Sequence, residues 1–498
     1  MFYFSKSKYC LAWQCPKLLW LNKYKPESKP INPSLETRFE EGNVVGDLAM
    51  RLFGDFTEVT TYNEDGKIDL DKMMELTKQY ISNGVENICE ASFDYNGLYC
   101  AVDILHKKND GYAIYEVKSS THASHIYAVD IAYQKYVLEN SGINVTGTYL
   151  VCINSSYVRS KELDIQNLFQ IIDMSSEVQD EFQNVPALLQ KSEQIYSSKA
   201  EPKIDIGLHC RDPYECEFWG YCTKDLPSPS VFDLQLIRFK KALELHKQGK
   251  IAYNDLLNDG SIKNPKQLRQ MQYAVSDLGT YIDKPAIKDF LNTLSYPLYF
   301  LDFETIQQVI PQFEGTKPYQ QIPFQYSLHY IEYEGGPLLH KEFLAESGTD
   351  PRRLIAESLC KDIPMDVCVT AYNKGFECAR LKELAETFPD LSHHLLNIRS
   401  NIKDLLTPFQ SGYYYNKAMG GSFSIKSVLP AIFPNDPSLD YHNLDQIHNG
   451  TEAMTIFNKI KDMSPEEQEK TRYNLLKYCE LDTYAMVKVW KELISVSE

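Results

Sequence analysis

The stretch that most constrains the fold runs from residue 87 to 120, NICEASFDYNGLYCAVDILHKKNDGYAIYEVKSS. β-Branched, aromatic and apolar residues alternate with polar ones along three runs, which is typical of β-strands. Asn96-Gly97 and Asp110-Gly111 favour tight turns, so they predict two hairpins between these strands. Helical spacing of apolar residues predicts one helix before this stretch and another that ends at Gly142, followed by a strand at 145–153. The pattern predicts an α/β fold class.

The chain has 498 residues, of which 43% are hydrophobic and 24% charged. Its length predicts two or three domains. We divide it into residues 1–226, a polar and mainly helical connector at 227–295, and a second α/β domain at 296–498. The connector carries ten Lys and Arg against seven Asp and Glu, which we interpret as a solvated helical face.

The predicted cellular compartment indicates whether the cysteines form disulfides or bind metal. The first residues lack the apolar core and cleavage site of a signal peptide, and no apolar run approaches the ~20 residues of a membrane helix. This predicts a cytoplasmic protein, in which clustered cysteines are metal ligands rather than disulfides. The net charge of −17 argues against a surface coated for nucleic-acid binding, but it leaves room for a local basic channel.

A first acidic pattern lies at the end of the third predicted strand. Glu116 and Lys118 are two residues apart, so they share one face of the strand. Taken alone, the pair also fits an exposed edge strand. Together with Asp103 on the preceding strand and Gln134 on the next helix, it predicts a site in which Asp103 and Glu116 hold Mg²⁺ or Mn²⁺. The ammonium of Lys118 would stabilise the charge that develops when a phosphodiester is cleaved.

Asp103, then Glu116-Val117-Lys118, then Gln134-Lys135-Tyr136, in this order of elements, resembles the PD-(D/E)XK nucleases. The narrower resemblance is to their RecB-like and CRISPR-associated branch. It implies a restriction-endonuclease-like fold for residues 1–226 and catalytic roles for Asp103, Glu116, Lys118 and Gln134. Many relatives also carry a site histidine on the first helix. This helix has none, and Glu41 and Glu90 are the two alternatives for its role.

Three cysteines lie six residues apart in GLHCRDPYECEFWGYC: Cys210, Cys216 and Cys222. Relatives in the same branch often hold a four-iron, four-sulfur cluster with one early and three late cysteines. The resemblance implies that Cys15 is the fourth ligand, with Cys10 as its competitor, and that the cluster clips the two ends of the domain together. Zinc is the alternative occupant, although the long spacings differ from the short cysteine pairs usual for zinc.

A second acidic pattern begins in YFLDFET, where Asp302 and Glu304 share one face at the end of an apolar strand. Two like charges at such a position are costly unless a cation holds them. In YCELDTY, Tyr478 and Asp482 are four residues apart and share one helical face. Glu377 lies between these motifs, at the predicted start of a helix. A capped strand end is the alternative for Asp302 and Glu304 alone.

This second set resembles the DEDDy exonucleases, which have an RNase H-like fold. The resemblance implies two metal ions, hydrolysis from the 3′ end, and three metal ligands, Asp302, Glu304 and Asp482. It also implies that Tyr478 holds the attacking water. Glu377 stands where the family usually has Asp, which puts the activity of this site in doubt. Lys426 is a candidate phosphate contact.

The two resemblances together predict a metal-dependent nuclease with two active sites that hydrolyses DNA, with single strands favoured. One alternative is an exonuclease that trims RNA. Another is a nucleic-acid-binding protein in which one or both sites are inactive. Kinship with RecB-like proteins further suggests a role in DNA repair or antiviral defence, with a helicase or another protein of that pathway as partner.

Overall fold

The computed structural model describes the backbone of residues 4–30 and 34–498, and the side chains of 4–30 and 39–498. The chain forms two compact units. The first unit comprises Met1–Asp225 and Gln308–Tyr319, and the second comprises Leu226–Gln307 and Gln320–Glu498. Both contain helices and a β-sheet, which confirms the predicted mixed α/β class.

The first unit is built on a seven-stranded sheet. Its strands are β1 (Phe4–Ser5), β2 (Thr57–Glu58), β3 (Asn87–Tyr95), β4 (Leu98–Lys108), β5 (Gly111–Lys118), β6 (Val145–Ile153) and β7 (Phe169–Asp173). The main order is β2-β3-β4-β5-β6-β7, and β1 pairs in parallel with β4. β3, β4 and β5 are antiparallel, as predicted, whereas β5 and β6 are parallel. A parallel pair needs a crossover connection, which the helix between β5 and β6 supplies.

The helices of this unit are α1 (Lys6–Gln14), α2 (Pro16–Tyr24), α3 (Ser34–Ala49), α4 (Leu70–Ser82), α5 (His125–Asn140), α6 (Ile165–Leu168), α7 (Ser175–Phe182), α8 (Val185–Ser197) and α9 (Trp219–Thr223). The crossover helix α5 buries most of its length against the sheet, including Ile126, Val129 and Tyr133. It carries Gln134, which is fully buried and donates a hydrogen bond to Glu116 of β5.

The two predicted hairpin turns have different outcomes. Asn96 and Gly97 both have positive φ, at 53° and 86°, and join β3 to β4 as predicted. In the second hairpin the left-handed residue is Asn109, with φ of 58°, and Gly111 already belongs to β5. Gly111 is needed for a different reason: a Cβ there would lie 2.3 Å from the carbonyl oxygen of Asn144.

The second unit contains a five-stranded sheet of order β11-β10-β9-β12-β13 and a two-stranded sheet β14-β8. The strands are β8 (Thr280–Ile282), β9 (Leu298–Gln307), β10 (Gln321–Ile331), β11 (Leu339–Leu344), β12 (Cys368–Ala371), β13 (Ile402–Asp404) and β14 (Tyr414–Asn416). β9 lies at the centre, antiparallel to β10 and parallel to β12. Its residues 298–301 are buried on both faces, which explains the continuous apolar run in the sequence.

The helices of the second unit are α10 (Phe239–Lys247), α11 (Tyr253–Asp259), α12 (Pro265–Val275), α13 (Lys284–Leu291), α14 (Arg352–Asp362), α15 (Gly375–Thr387), α16 (Ser392–Ser400), α17 (Thr407–Gln410), α18 (Ile425–Ile432), α19 (Gly450–Lys459) and α20 (Pro465–Ser497). The segment interpreted as a connector, 227–295, contains α10 to α13 and lies within this unit, where β8 pairs with β14. No helix of the described residues is long and apolar enough to cross a membrane.

Candidate functional site

The first acidic cluster, Asp103, Glu116, Lys118, Asp130 and Gln134, lies where β4, β5 and α5 meet. Asp103 is in the middle of β4, and its Oδ2 accepts a 2.6 Å hydrogen bond from the amide of Val117 on β5. The Lys118 ammonium contacts Glu116 Oε1, so the predicted shared face of β5 brings these two side chains together.

Glu116 is fully buried, at 0% exposure. Its Oε2 accepts from Gln134 Nε2 at 2.7 Å. Lys6 Nζ, at the start of α1, lies 3.1 Å from Oε1 and 3.3 Å from Oε2. Burial by itself would raise the pKa of Glu116, but the nearby ammonium groups of Lys118 and Lys6 outweigh burial and lower it below its usual range. Glu116 is therefore a carboxylate at neutral pH.

The sequence reasoning missed two members of this neighbourhood. Asp130 accepts hydrogen bonds from Lys118 Nζ at 3.1 Å and from Gln134 Nε2 at 3.0 Å. It lies one helical turn before Gln134, so the i, i+4 spacing on α5 was a usable signal. Lys6 is 110 positions from Glu116 in the chain, and no local pattern connects them.

The two alternatives for the missing histidine, Glu90 and Glu41, influence the pKa of different groups. Burial and the charge of Asp103 raise the pKa of Glu90, on β3, to about 8. Burial and Glu116 raise the pKa of Asp103 to about 6. Glu41 instead acts on the pKa of Tyr319, whose hydroxyl donates to the carbonyl of Ser119. Glu90 thus interacts electrostatically with Asp103, and both residues stay candidates for the role of the histidine.

The second acidic cluster is Asp302, Glu304 and Asp482. Ligand oxygens of these three residues all lie within 4.8 Å of one another. Asp302 and Glu304 project from one face of β9, and Asp482 comes from α20, which packs across β9 and β10. Among the described residues this is the one group of three potential metal ligands at such close range.

Burial and mutual repulsion dominate the electrostatics of the second acidic cluster. They raise the pKa of Asp302 well above its usual value, with Asp482, Glu377 and Glu304 as the repelling charges. The pKa of Glu304 rises to about 8 and that of Asp482 to about 6, in both cases chiefly through burial. The Lys426 ammonium opposes all three shifts. One ammonium does not offset three buried carboxylates, so the cluster lacks positive charge.

Two tyrosines and a lysine border the cluster. Tyr441 donates a 2.6 Å hydrogen bond to Asp482 Oδ1. Lys426 Nζ donates to the hydroxyl of Tyr478 at 3.3 Å and to the carbonyl of His448 at 3.1 Å. Burial and the Asp482 charge raise the pKa of Tyr478 far above its usual value, so its phenol stays protonated. The sequence analysis missed Tyr441, which carries no motif of its own.

A cavity of about 1040 Å³ opens beside these residues. Lys426 and Tyr441 line it, and of these two Tyr441 donates to Asp482. Phe433, His442 and His448 also line the cavity. The cavity thus combines aromatic surface with nitrogen donors next to the carboxylates. Its size reaches the upper end of the ~300–1,000 Å³ typical of ligand pockets.

Glu377, at the start of α15, lies near the triad but outside its 4.8 Å group. It is 2% exposed, and its Oε2 has no hydrogen-bond partner. Burial, with a contribution from the charge of Asp404, raises the pKa of Glu377 to about 8. Asp404, at the end of β13, accepts from the backbone amide of Asn373 at 2.9 Å and holds the turn before α15.

We use the name cysteine cradle for four residues of the first unit, Cys15, Cys210, Cys216 and Cys222. Cys15 lies between α1 and α2, and Cys15, Cys216 and Cys222 share an apolar cluster with Trp20 and Phe218. Gln14 Nε2 ties α1 to the cysteine loop through the carbonyls of His209 and Tyr214, at 2.9 and 2.8 Å.

The cradle thiols influence one another electrostatically. Burial is the main cause of the raised pKa of Cys210, Cys216 and Cys222, and the charge of Cys15 adds to the shift of each. No three of the four sulfurs lie within 4.8 Å of one another among the described residues. Cys10 belongs elsewhere: burial and the charges of Asp130, Lys118 and Lys6 act on its pKa, which places it beside the first acidic cluster.

The fold and these sites define a mixed α/β protein with two buried carboxylate clusters and a four-cysteine cradle. Residues 299–424 match the model of a domain of unknown function (DUF2779). This match includes Asp302, Glu304 and Glu377, but it ends before α20, which supplies Tyr478 and Asp482.

Two curated relatives are similar to part of the chain. This chain is 28% identical over 235 residues to the uncharacterized protein UU173 of Ureaplasma parvum, and the match covers 42% of this chain and 32% of the relative. It is 28% identical over 219 residues to the uncharacterized protein MG366 of Mycoplasma genitalium, 41% of this chain and 32% of the relative. The matched part of this chain thus spans about a third of the length of each relative.

Proposed function

We propose that this protein is a metal-dependent nuclease that hydrolyses phosphodiester bonds in DNA. The observation that carries the proposal is the second acidic cluster, where three buried or half-buried carboxylates converge within 4.8 Å beside a protonated tyrosine and a lysine. Carboxylate oxygens suit Mg²⁺ or Mn²⁺. The raised pKa values of Asp302, Glu304 and Asp482 come chiefly from burial, and a bound divalent cation would offset this cost of burying their charges.

The topology of the second unit supports an RNase H-like exonuclease domain acting from the 3′ end. A mixed sheet has the acidic strand β9 at its centre, with β10 antiparallel and β12 parallel to it. A long helix, α20, delivers the last acidic residue to that strand. The order of strand, middle helix and late helix matches the order of the DEDDy motifs, in which Glu377 on α15 would correspond to the third acidic residue.

The metal would be held by Asp302, Glu304 and Asp482. When bound, it would polarise the phosphate and lower the pKa of a coordinated water. The chain's own residues would do the rest. Tyr478, as a neutral phenol, would orient the water oxygen toward phosphorus, and Lys426 would contact the phosphate. The water oxygen would bond to phosphorus and release its proton to solvent, the bond between phosphorus and the 3′ oxygen would break, and that oxygen would take up a proton from solvent and leave as a hydroxyl.

We propose that the first acidic cluster is the second active site, in a domain that resembles the PD-(D/E)XK nucleases. Asp103 and Glu116 would hold the metal, and Lys118 would stabilise the charge on the phosphate. Gln134 supplies a further sign of a ligand, because its Oε1 is buried without a hydrogen-bond partner while its Nε2 donates to Glu116 and Asp130. A buried acceptor without a donor is costly, and a metal-bound water would satisfy it.

For the cysteine cradle we propose a four-iron, four-sulfur cluster, with zinc as the alternative occupant. A single Zn²⁺ holds its sulfurs at about 2.3 Å, so they lie about 4 Å from one another. The four thiols sense one another's charge, yet no three of the described ones come within 4.8 Å. A larger cluster bound by thiolates spans such a cradle. Its role here would be structural, because it joins Cys15 to the loop of Cys210, Cys216 and Cys222.

The metal proposal predicts how pH changes the stability of the second unit. Without metal, the folded pKa of Glu304 is about 8 and that of Asp482 about 6, both above the unfolded values of about 4. Between about pH 4 and 8 these two carboxyls therefore bind more protons in the folded protein than in the unfolded chain, and their contribution to the free energy of unfolding falls as pH rises. Mn²⁺ replaces those protons, so the rise in Tm on adding Mn²⁺ should grow from pH 6 to 8.

Thermal unfolding of wild type and Glu304→Gln, with and without Mn²⁺, measures this dependence. Glu304→Gln should raise the Tm of the metal-free protein at pH 8, because it removes a repelling charge, and should weaken the effect of Mn²⁺. An effect of Mn²⁺ that is equal at pH 6 and 8, or equal in the two proteins, would contradict a metal site at Glu304.

The function itself is tested with single-stranded DNA labelled at its 5′ end, incubated with Mn²⁺ and the wild-type protein, and compared with RNA of the same sequence. Progressive shortening of DNA supports the proposal. Preference for RNA would instead support the RNA-trimming alternative, since the 2′-hydroxyl is the group that distinguishes the two substrates. Binding without cleavage of either would overturn the nuclease proposal.

A further inference from the structure

Lys6 reaches the first acidic cluster from the start of α1. Its Nζ lies 3.1 and 3.3 Å from the two oxygens of Glu116 and 3.8 Å from Asp103 Oδ1. Asp103 and Glu116 are the two carboxylates proposed to share a metal ion. The ammonium of Lys6 therefore bridges them in the manner of a bound cation.

The acceptor capacity of Glu116 is filled. A carboxylate offers about four lone-pair positions. Oε1 receives Lys6 and Lys118, and Oε2 receives Lys6 and Gln134. A divalent cation can bind Glu116 only after one of these donors has moved away.

Lys6 is the donor whose departure would free both proposed ligands, because its Nζ contacts Asp103 as well as Glu116. Gln134 is 0% exposed and tied to Asp130 as well as Glu116. Lys118 also has a second carboxylate partner in Asp130, at 3.1 Å. The Lys6 side chain is 23% exposed, and its flexible four-carbon stem can swing outward without moving the backbone. The backbone itself is anchored, because β1 pairs with β4 and Phe4 is fully buried.

We propose that Lys6 is a gate on the first acidic cluster: its ammonium occupies the place of the divalent cation between Asp103 and Glu116, and it must withdraw before metal enters. This inference rests on the proposed metal site in the first unit. It makes that site closed while Lys6 contacts both carboxylates.

The test is a calorimetric titration of Mn²⁺ into the full-length chain with the second acidic cluster disabled by Asp302→Asn and Asp482→Asn. In this background, Lys6→Met should lower the Kd for Mn²⁺ at the first cluster by at least about tenfold, which corresponds to about 1.4 kcal/mol. Lys6→Arg keeps a cation in place and should bind Mn²⁺ no more tightly than the background. Lys8→Met is the matched control, because Lys8 lies on the same helix over the ring of Tyr196, at 5.1 Å, and should leave the Kd unchanged.

The outcomes separate the gate from the metal site itself. An unchanged or higher Kd in Lys6→Met would overturn the gate and make Lys6 a positioning residue for Glu116. No Mn²⁺ binding by any variant would overturn the metal site proposed for the first unit, and the gate with it. Circular dichroism confirms that each variant is folded. If Lys6→Met is unfolded, Lys6→Gln replaces it, with the same expected decrease in Kd.

Discussion

Asp302→Asn is expected to abolish Mn²⁺-dependent shortening of 5′-labelled single-stranded DNA from its 3′ end. Asp302 is the proposed ligand on which the charges of Asp482, Glu377 and Glu304 all act. Its loss would leave the metal with two carboxylates. Metal assistance contributes several kcal/mol to such reactions, so the rate should fall by at least about a thousandfold. The measurement is the rate of appearance of shortened products at saturating Mn²⁺.

Glu480→Gln is the control for this loss. Glu480 lies on α20 two residues before Asp482, but its carboxylate pairs with Lys477 at 2.6 Å, away from the cluster. Its variant should cleave at the wild-type rate. If Asp302→Asn keeps full activity and Asp103→Asn loses it, the first acidic cluster produces the shortened products and the second is inactive. If Asp302→Asn and Asp103→Asn each lose a different set of products, the result would support two active sites.

Cys15→Ser is expected to remove iron and sulfide from the purified protein and to lower the melting temperature of the first unit. Cys15 is the cradle cysteine that comes from the α1–α2 junction, far in sequence from the other three. A cofactor that binds the folded state alone, at a concentration a thousand times its Kd, stabilises that state by about 4 kcal/mol. Loss of the cluster should remove stabilisation of at least this order. Iron and sulfide content, visible absorption and thermal unfolding under anaerobic conditions measure the effect.

Cys10→Ser is the matched variant, because Cys10 lies on α1, five residues before Cys15, but beside the first acidic cluster. It should retain iron and sulfide. Loss of iron in Cys10→Ser with retention in Cys15→Ser would reverse the assignment of the fourth ligand. Zinc in place of iron in the wild type would support the zinc alternative. Neither metal in anaerobically purified protein would make the cradle a packed group of thiols.

Much of both acidic clusters was predictable because their members follow local periods. Asp302 and Glu304 are two residues apart on a strand, and Tyr478 and Asp482 are four apart on a helix. These spacings place each pair on one face whatever the rest of the chain does. The same holds for Glu116 and Lys118, whose side chains meet on β5.

The residues that complete the clusters were not predictable in this way. Lys6 reaches Glu116 across 110 positions of sequence, and Tyr441 reaches Asp482 across 41. Lysine and tyrosine are common on protein surfaces, so neither stands out in the sequence. Their roles depend on how β1 adds to β4 and how the segment before α19 folds over α20.

The sequence by itself determined which residues share a face, the mixed α/β class and the three strands of the first sheet, because these depend on side-chain alternation and turn chemistry over a few residues. Tertiary structure decided which faces meet. It placed Cys15 rather than Cys10 in the apolar cluster that holds Cys216 and Cys222, and it brought the ammonium of Lys6 to both carboxylate oxygens of Glu116. Such contacts join distant segments, and burial then sets their charges, which no local pattern encodes.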